Sequence, residues 1–191
     1  MKDTKTRNLV ITALMIALML VLQVTGIGLI KIGIINITFY CTIIAIGTMV
    51  LGLKNGVILG AGFAAISFWS AIQAPSGLVA PLMAESVSYV FIMCFVPRIL
   101  VPFVTYGIRK LLIKTGADDN VGIAAGAALG SLTNTVFYLG LLVLGYAITV
   151  AENPTLLATV GSIALAAGLP EAAAAALVAT PVVLALKKIY K

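Results

Sequence analysis

Apolar residues do not alternate with polar ones along this chain. They come in long runs, at about 8–30, 32–53, 57–72, 82–112, 121–150 and 155–186, with the polar positions gathered between them. A run of roughly twenty apolar residues wound as α-helix matches the hydrocarbon thickness of a bilayer. The pattern therefore predicts an all-α polytopic membrane protein: six transmembrane helices forming a single domain over 1–191. The breaks carry turn chemistry. Lys54-Asn55-Gly56 is expected to make a tight turn, Gln73-Ala74-Pro75-Ser76-Gly77 and Glu152-Asn153-Pro154 to be loops, and Asp118-Asp119-Asn120 to supply carboxylates for the start of the fifth helix.

The first run follows a short basic stretch, as a signal peptide would. Its length and the lack of a small-residue cleavage site before Lys31 favour a retained helix. The last three runs exceed a single crossing and must tilt, kink or project, with Pro97, Pro102, Pro170 and Pro181 as the kink points. Splitting the sixth run at Gly168-Leu169-Pro170 leaves two halves too short to span, so one kinked helix is expected in preference to a re-entrant pair.

Charge then orients the bundle. Of twelve basic residues, Lys2, Lys5, Arg7, Lys54, Arg109, Lys110, Lys114, Lys187, Lys188 and Lys191 fall on one face of a six-span topology. Basic loops stay cytoplasmic, so both termini are expected inside. Lys31 lies at the opposite face, and Arg98 sits in the middle of an apolar run. With a mean hydropathy of +1.19 and only 9% charged residues, the chain cannot wrap an apolar core in a polar shell. The net charge of +6 is juxtamembrane and speaks for anionic lipid, not nucleic acid. Cys41 and Cys94 lie in apolar segments of a chain without histidine, which points to packing and neither to zinc nor to a disulfide framework. No phosphate-loop motif, nucleophile with a base, or metal-ligand set is present in the sequence, and no cofactor is indicated. The composition describes a binder and not an enzyme.

Each long run carries its most polar residues near its midpoint: Arg98 in the fourth, Thr133, Asn134 and Thr135 in the fifth, Glu171 in the sixth. A helix rises 1.5 Å per residue, so equal counts from the ends place these groups at similar depth. Two readings follow. Arg98 and Glu171 form a buried ion pair bridged by Asn134 that fixes packing, or these donors and acceptors complete their hydrogen bonding with a solute. Trp69, Ser67, Ser70 and Gln73 end the third run, Glu85, Ser88, Tyr89 and Phe91 open the fourth, and Phe137, Tyr138 and Tyr146 lie in the outer half of the fifth. They suit an interfacial aromatic belt or the walls of an outward pocket. Small residues recur every fourth position at Ala13 and Ala17, at Gly56 and Gly60, and at Gly122, Gly126 and Gly130, which flattens a helix face for close approach.

Several stretches together resemble the S component of energy-coupling factor (ECF) transporters, over nearly the whole chain. They are the basic N-terminus running into Ala13-Leu14-Met15-Ile16-Ala17, Ile37-Thr38-Phe39, the turn from Leu51 to Gly62, Cys94-Phe95-Val96-Pro97-Arg98-Ile99-Leu100, Gly130-Ser131-Leu132-Thr133-Asn134-Thr135 and Gly168-Leu169-Pro170-Glu171. The Pro-Arg-Ile and Gly-Ser-Leu-Thr-Asn-Thr pieces are most similar to the pantothenate-type branch. The resemblance implies a six-helix vitamin-binding subunit of the bacterial plasma membrane. It would hand its solute to a transmembrane coupling subunit with two ATPase subunits, the coupling subunit docking on an Ala-x-x-x-Ala face, here Ala13 and Ala17. It also implies a pocket at the external ends of the last three helices, closed by the loops Gly28–Ile35 and Gln73–Pro81. Arg98 would take the carboxylate of pantothenate, with Asn134, Thr135 and Glu171 serving its hydroxyls and amide and Trp69, Gln73, Tyr89 and Tyr138 around them. Phe39-Tyr40-Cys41 departs from the family, whose members often carry a His there. A folate-, riboflavin- or pyridoxine-type solute suits the same residue types, and a stand-alone facilitator or a structural membrane subunit are the alternatives outside the family.

Overall fold

The computed structural model describes residues 2–26, 29–32, 35–149, 160–162 and 164–189; the Glu152-Asn153-Pro154 turn lies outside them. A helical bundle emerges, interrupted by one small hairpin. In chain order it comprises α1 (Lys2–Thr25), β1 (Leu29–Ile32), β2 (Ile35–Thr38), α2 (Tyr40–Leu51), α3 (Leu53–Gln73), α4 (Ala80–Glu85), α5 (Val87–Lys114), α6 (Asp119–Thr149), a π-helical turn (Ala164–Gly168) and α7 (Leu169–Ile189). Among the described residues, five segments are long and apolar enough to cross a membrane: Lys5–Thr25, Leu53–Gln73, Val87–Lys114, Asp119–Ile148 and Val160–Ile189.

The second expected helix, 32–53, is corrected. Its first third is an antiparallel hairpin in which Leu29 pairs with Thr38 and Ile32 with Ile35. β-Branched isoleucines punctuated by Gly33 and Asn36 fit a pleated ribbon better than a helix, although their hydropathy is the same. What remains as α2 is twelve residues, about 18 Å long. Every residue from Tyr40 to Met49 is buried. A helix apolar on all sides belongs at the centre of a bundle, and α2 packs there against α3, α5, α6 and α7.

The expected helix 82–112 is also corrected, into α4 and α5. Pro81 occupies the first turn of α4, and Ser86 breaks the chain with extended dihedrals while its hydroxyl accepts the Tyr89 amide at 3.2 Å. A serine N-cap restarts the helix at that point. In the sixth run a π-helical turn at Ala164–Gly168 precedes α7. Pro170 cannot donate to the preceding turn, and the wider π geometry accommodates it immediately before Glu171.

Close approaches hold α3, α5 and α6 together. A Cβ on Gly60 would stand 2.6 Å from the Arg98 carbonyl oxygen, and one on Gly126 would stand 2.8 Å from that of Thr105. The glycine spacing thus serves intramolecular packing. Arg109 and Lys187 both pair with Asp119, which ties the ends of α5, α6 and α7 together at the end of the bundle opposite the hairpin.

Candidate functional site

Arg98 is 5% exposed and sits just past Pro97 in α5. Its Nη1 donates to the Met93 carbonyl at 3.0 Å and its Nη2 to Ser67 Oγ on α3 at 3.1 Å. Ser67 in turn reaches Cys94 Sγ at 3.8 Å. The guanidinium lies between two rings, 4.4 Å from the Tyr138 centroid and 5.1 Å from that of Phe63. Aromatic faces attract a cation, and more strongly where water is excluded. Nε is buried and has no hydrogen-bond partner.

The direct Arg98–Glu171 ion pair of the packing reading is not among the contacts of the described residues. At the far end of the bundle Arg109 and Lys187 both pair with Asp119. Ser67 and the Met93 carbonyl satisfy the guanidinium tips and the rings fix its plane, so its orientation does not depend on a carboxylate. Glu171, 6% exposed, opens α7 and has an interaction of its own. Cys41, 1% exposed, sits in the first turn of α2, which packs against α5, α6 and α7. Cys41 therefore marks where α2, α5, α6 and α7 converge.

Asn134 is 7% exposed, and its Oδ1 is buried without a partner. It shares one face of α6 with Tyr138, four residues on. Arg98 and Tyr138 thus meet inside the bundle, with Asn134 one turn from Tyr138 along α6. Thr135 faces the π turn, where a Cβ on Gly168 would approach its methyl to 2.9 Å. The other expected residues lie elsewhere. Trp69 is 61% exposed and Gln73 is exposed, both at the hairpin end of α3. Tyr89 is half-buried, and its hydroxyl donates to the Leu141 carbonyl at 2.6 Å, joining α5 to α6. Tyr146 makes a similar tie to the Leu78 carbonyl at 2.9 Å. Ala13 and Ala17 lie on the exposed face of α1 with Leu14 and Leu18.

Sequence reasoning missed Phe63 and Tyr40 as parts of this centre. Tyr40 is 1% exposed and stacks on Phe63 with centroids 4.7 Å apart, while its hydroxyl donates to Gln23 Oε1 of α1 at 2.9 Å. Aromatic residues in apolar runs read as core, so only Gln23, an amide inside an apolar helix, carried a usable signal. An apolar groove of about 280 Å³ between α5 and α6, lined by residues such as Val104, Leu132 and Phe137, contains none of the central polar residues.

The arrangement offers a buried cation, an unsatisfied amide oxygen and aromatic walls, and it holds no assembled nucleophile and base. It can bind an anionic polar solute. The comparisons agree. Residues 7–183 match the family model described as ECF transporter, substrate-specific component. Over 98% of its length the chain is 28% identical to the pantothenic acid transporter PanT of Lactococcus lactis subsp. cremoris, of which 97% is covered. It is 29% identical to the pantothenate transporter PanT of Leuconostoc mesenteroides subsp. mesenteroides, over 78% of this chain and 74% of that one. The chain belongs to the family of ECF transporter substrate-specific components, and is thus a transporter subunit, not an enzyme, traversing the bacterial plasma membrane several times.

Proposed function

We propose that this protein is the subunit that captures pantothenate outside the cell and presents it to an ECF coupling subunit with two ATPase subunits. The observation that carries the reading is Arg98, a buried guanidinium with no carboxylate paired to it among the described residues and with an orphaned Nε. An ionisable group that deep inside a membrane protein is costly and marks a solute path. The carboxylate of pantothenate supplies the missing charge through a hydrogen-bonded ion pair. Asn134, Thr135 and Glu171 serve its amide and hydroxyls against the wall of Tyr138, while Trp69, Gln73 and Tyr89 belong to the outer rim. The names of both relatives support this choice of vitamin.

In this reading the chain is one domain. α2 with its hairpin completes a sixth membrane element, and both termini are cytoplasmic. The basic residues Lys54, Arg109, Lys110, Lys114, Lys187 and Lys188 then share the inner face. The exposed Ala13 and Ala17 present the flat surface on which the coupling subunit docks. The deciding experiment is calorimetric titration of the purified protein with pantothenate in the absence of ATP. Saturable one-to-one binding is expected, and binding of a folate-, riboflavin- or pyridoxine-type vitamin in its place would reassign the solute. Ala13→Trp should abolish pantothenate uptake in cells while leaving that titration unchanged. Loss of binding with uptake intact would place Ala13 in the core.

A further inference from the structure

Gln23 is the point where α1 connects to the Arg98 centre by two routes. α1 packs on α2 and α3, and its inward contacts are Met15, Ile16, Met19 and Leu22, flexible or aliphatic side chains without directional preference. Thr12 and Thr25 turn their hydroxyls back onto carbonyls of their own helix. Gln23 does the opposite. Its Oε1 accepts the Tyr40 hydroxyl at 2.9 Å, and its Nε2 donates to Ser70 Oγ at 2.5 Å.

The first route continues from Tyr40 through its stack on Phe63, the ring beneath the guanidinium. The second runs along α3: Ser70 lies about one turn from Ser67, whose hydroxyl accepts from Arg98 Nη2. Both the aromatic shelf and the hydroxyl acceptor of Arg98 therefore refer back to one amide on α1. We infer that Gln23 and Tyr40 are positioning residues that link the placement of α1 to solute binding at Arg98. This rests on the reading of Arg98 as the anchor of the solute carboxylate. Linkage makes the effect reciprocal: a bound solute that fixes the guanidinium also fixes α1, and a shift of α1 loosens the solute.

The test uses the purified full-length protein and two single-group deletions. Gln23→Met keeps the length of the side chain and loses both hydrogen bonds; Tyr40→Phe loses the hydroxyl and keeps the stack on Phe63. Tyr40→Phe should weaken pantothenate binding about five-fold, the scale of one ordinary hydrogen bond, and Gln23→Met, which loses two, at least as much. The double variant should lose much less than the product of the two, because both deletions remove the same bond. Thr25→Val, with its local hydrogen bond on the same helix, should bind as the wild type does.

A second readout needs no solute. In a Cys94→Ala background, the rate at which a small thiol reagent modifies Cys41, 1% exposed and adjacent to Tyr40, should rise in Gln23→Met and Tyr40→Phe and stay constant in Thr25→Val. Unchanged binding or unchanged labelling in Gln23→Met overturns the inference, as does equal acceleration in Thr25→Val. If the parent protein itself does not take up pantothenate in titration, the assignment of the solute falls, and the labelling rates alone decide the linkage.

Discussion

Arg98 and Arg109 stand on the same helix, about three turns apart, in opposite circumstances. Arg109 is partly exposed and donates from Nε and Nη2 to one oxygen of Asp119, at 3.1 and 2.8 Å. Lys187 pairs with the other oxygen. Its neighbourhood is complete and partly exposed, so solvent screens it. Arg98 is buried, has two neutral acceptors and two aromatic faces, and keeps an orphaned donor. An arginine with its charge answered is a fastener. Arg98, whose guanidinium meets rings and neutral acceptors, is in the proposed reading the group that receives the solute's anion.

That contrast predicts its largest effect at Arg98. Arg98→Lys keeps the positive charge and loses the planar fork and the flat contact with Tyr138 and Phe63. Pantothenate binding should weaken by at least 2 kcal/mol, about 30-fold, within the range for disturbing a buried charged hydrogen-bonded pair. An analogue bearing an alcohol in place of the carboxylate should lose much less between the two proteins. Equal losses in calorimetry would make Arg98 a packing element and place the carboxylate elsewhere.

How far the centre could be read in advance follows from what each residue type signals. Arg98, Asn134 and Glu171 were legible because a polar side chain deep in an apolar run is costly and its depth can be counted along a helix. Their connection was not, since the direct ion pair that charge alone suggests is replaced by Ser67, the Met93 carbonyl and two rings. Phe63 and Tyr40 are indistinguishable from core in a chain where core is everywhere. The hairpin at Leu29–Thr38 escaped for a related reason: isoleucine is equally apolar in a strand and a helix, and only β-branching with Gly33 marks the difference. Cys41 read as packing, and it does pack, 1% exposed in the first turn of α2.

Two glycines sharpen the comparison at an intermediate scale. A Cβ on Gly60 would meet the backbone carbonyl of Arg98 at 2.6 Å, and backbone cannot step aside. Gly60→Ala should therefore push α3 from α5, cost about 1–3 kcal/mol of stability, and weaken pantothenate binding by shifting Ser67 relative to the guanidinium. A Cβ on Gly122 would touch Arg109 Cγ at 3.4 Å, ordinary contact with a flexible side chain. Gly122→Ala should be neutral or gain up to about 1 kcal/mol from helix propensity, with binding unchanged. Thermal unfolding of the two variants side by side measures the difference; equal destabilisation would remove the distinction between the two arginine environments.

The smallest effect belongs to Asp119. Asp119→Asn leaves a side-chain oxygen to accept from Arg109 and removes the charge shared by Arg109 and Lys187. The pairs are 20–40% exposed, so solvent screens them, and the expected cost is no more than about 1 kcal/mol. That cost should shrink in concentrated salt, because the Debye length falls to about 3 Å at 1 M. Titration with pantothenate should not distinguish this variant from the parent, since the network stands about three turns of α5 from Arg98. Unfolding midpoints at low and high salt check the first claim and calorimetry the second. A binding loss as deep as that of Arg98→Lys would show that the closed ion network and the open guanidinium work as one unit, and the contrast between them would no longer hold.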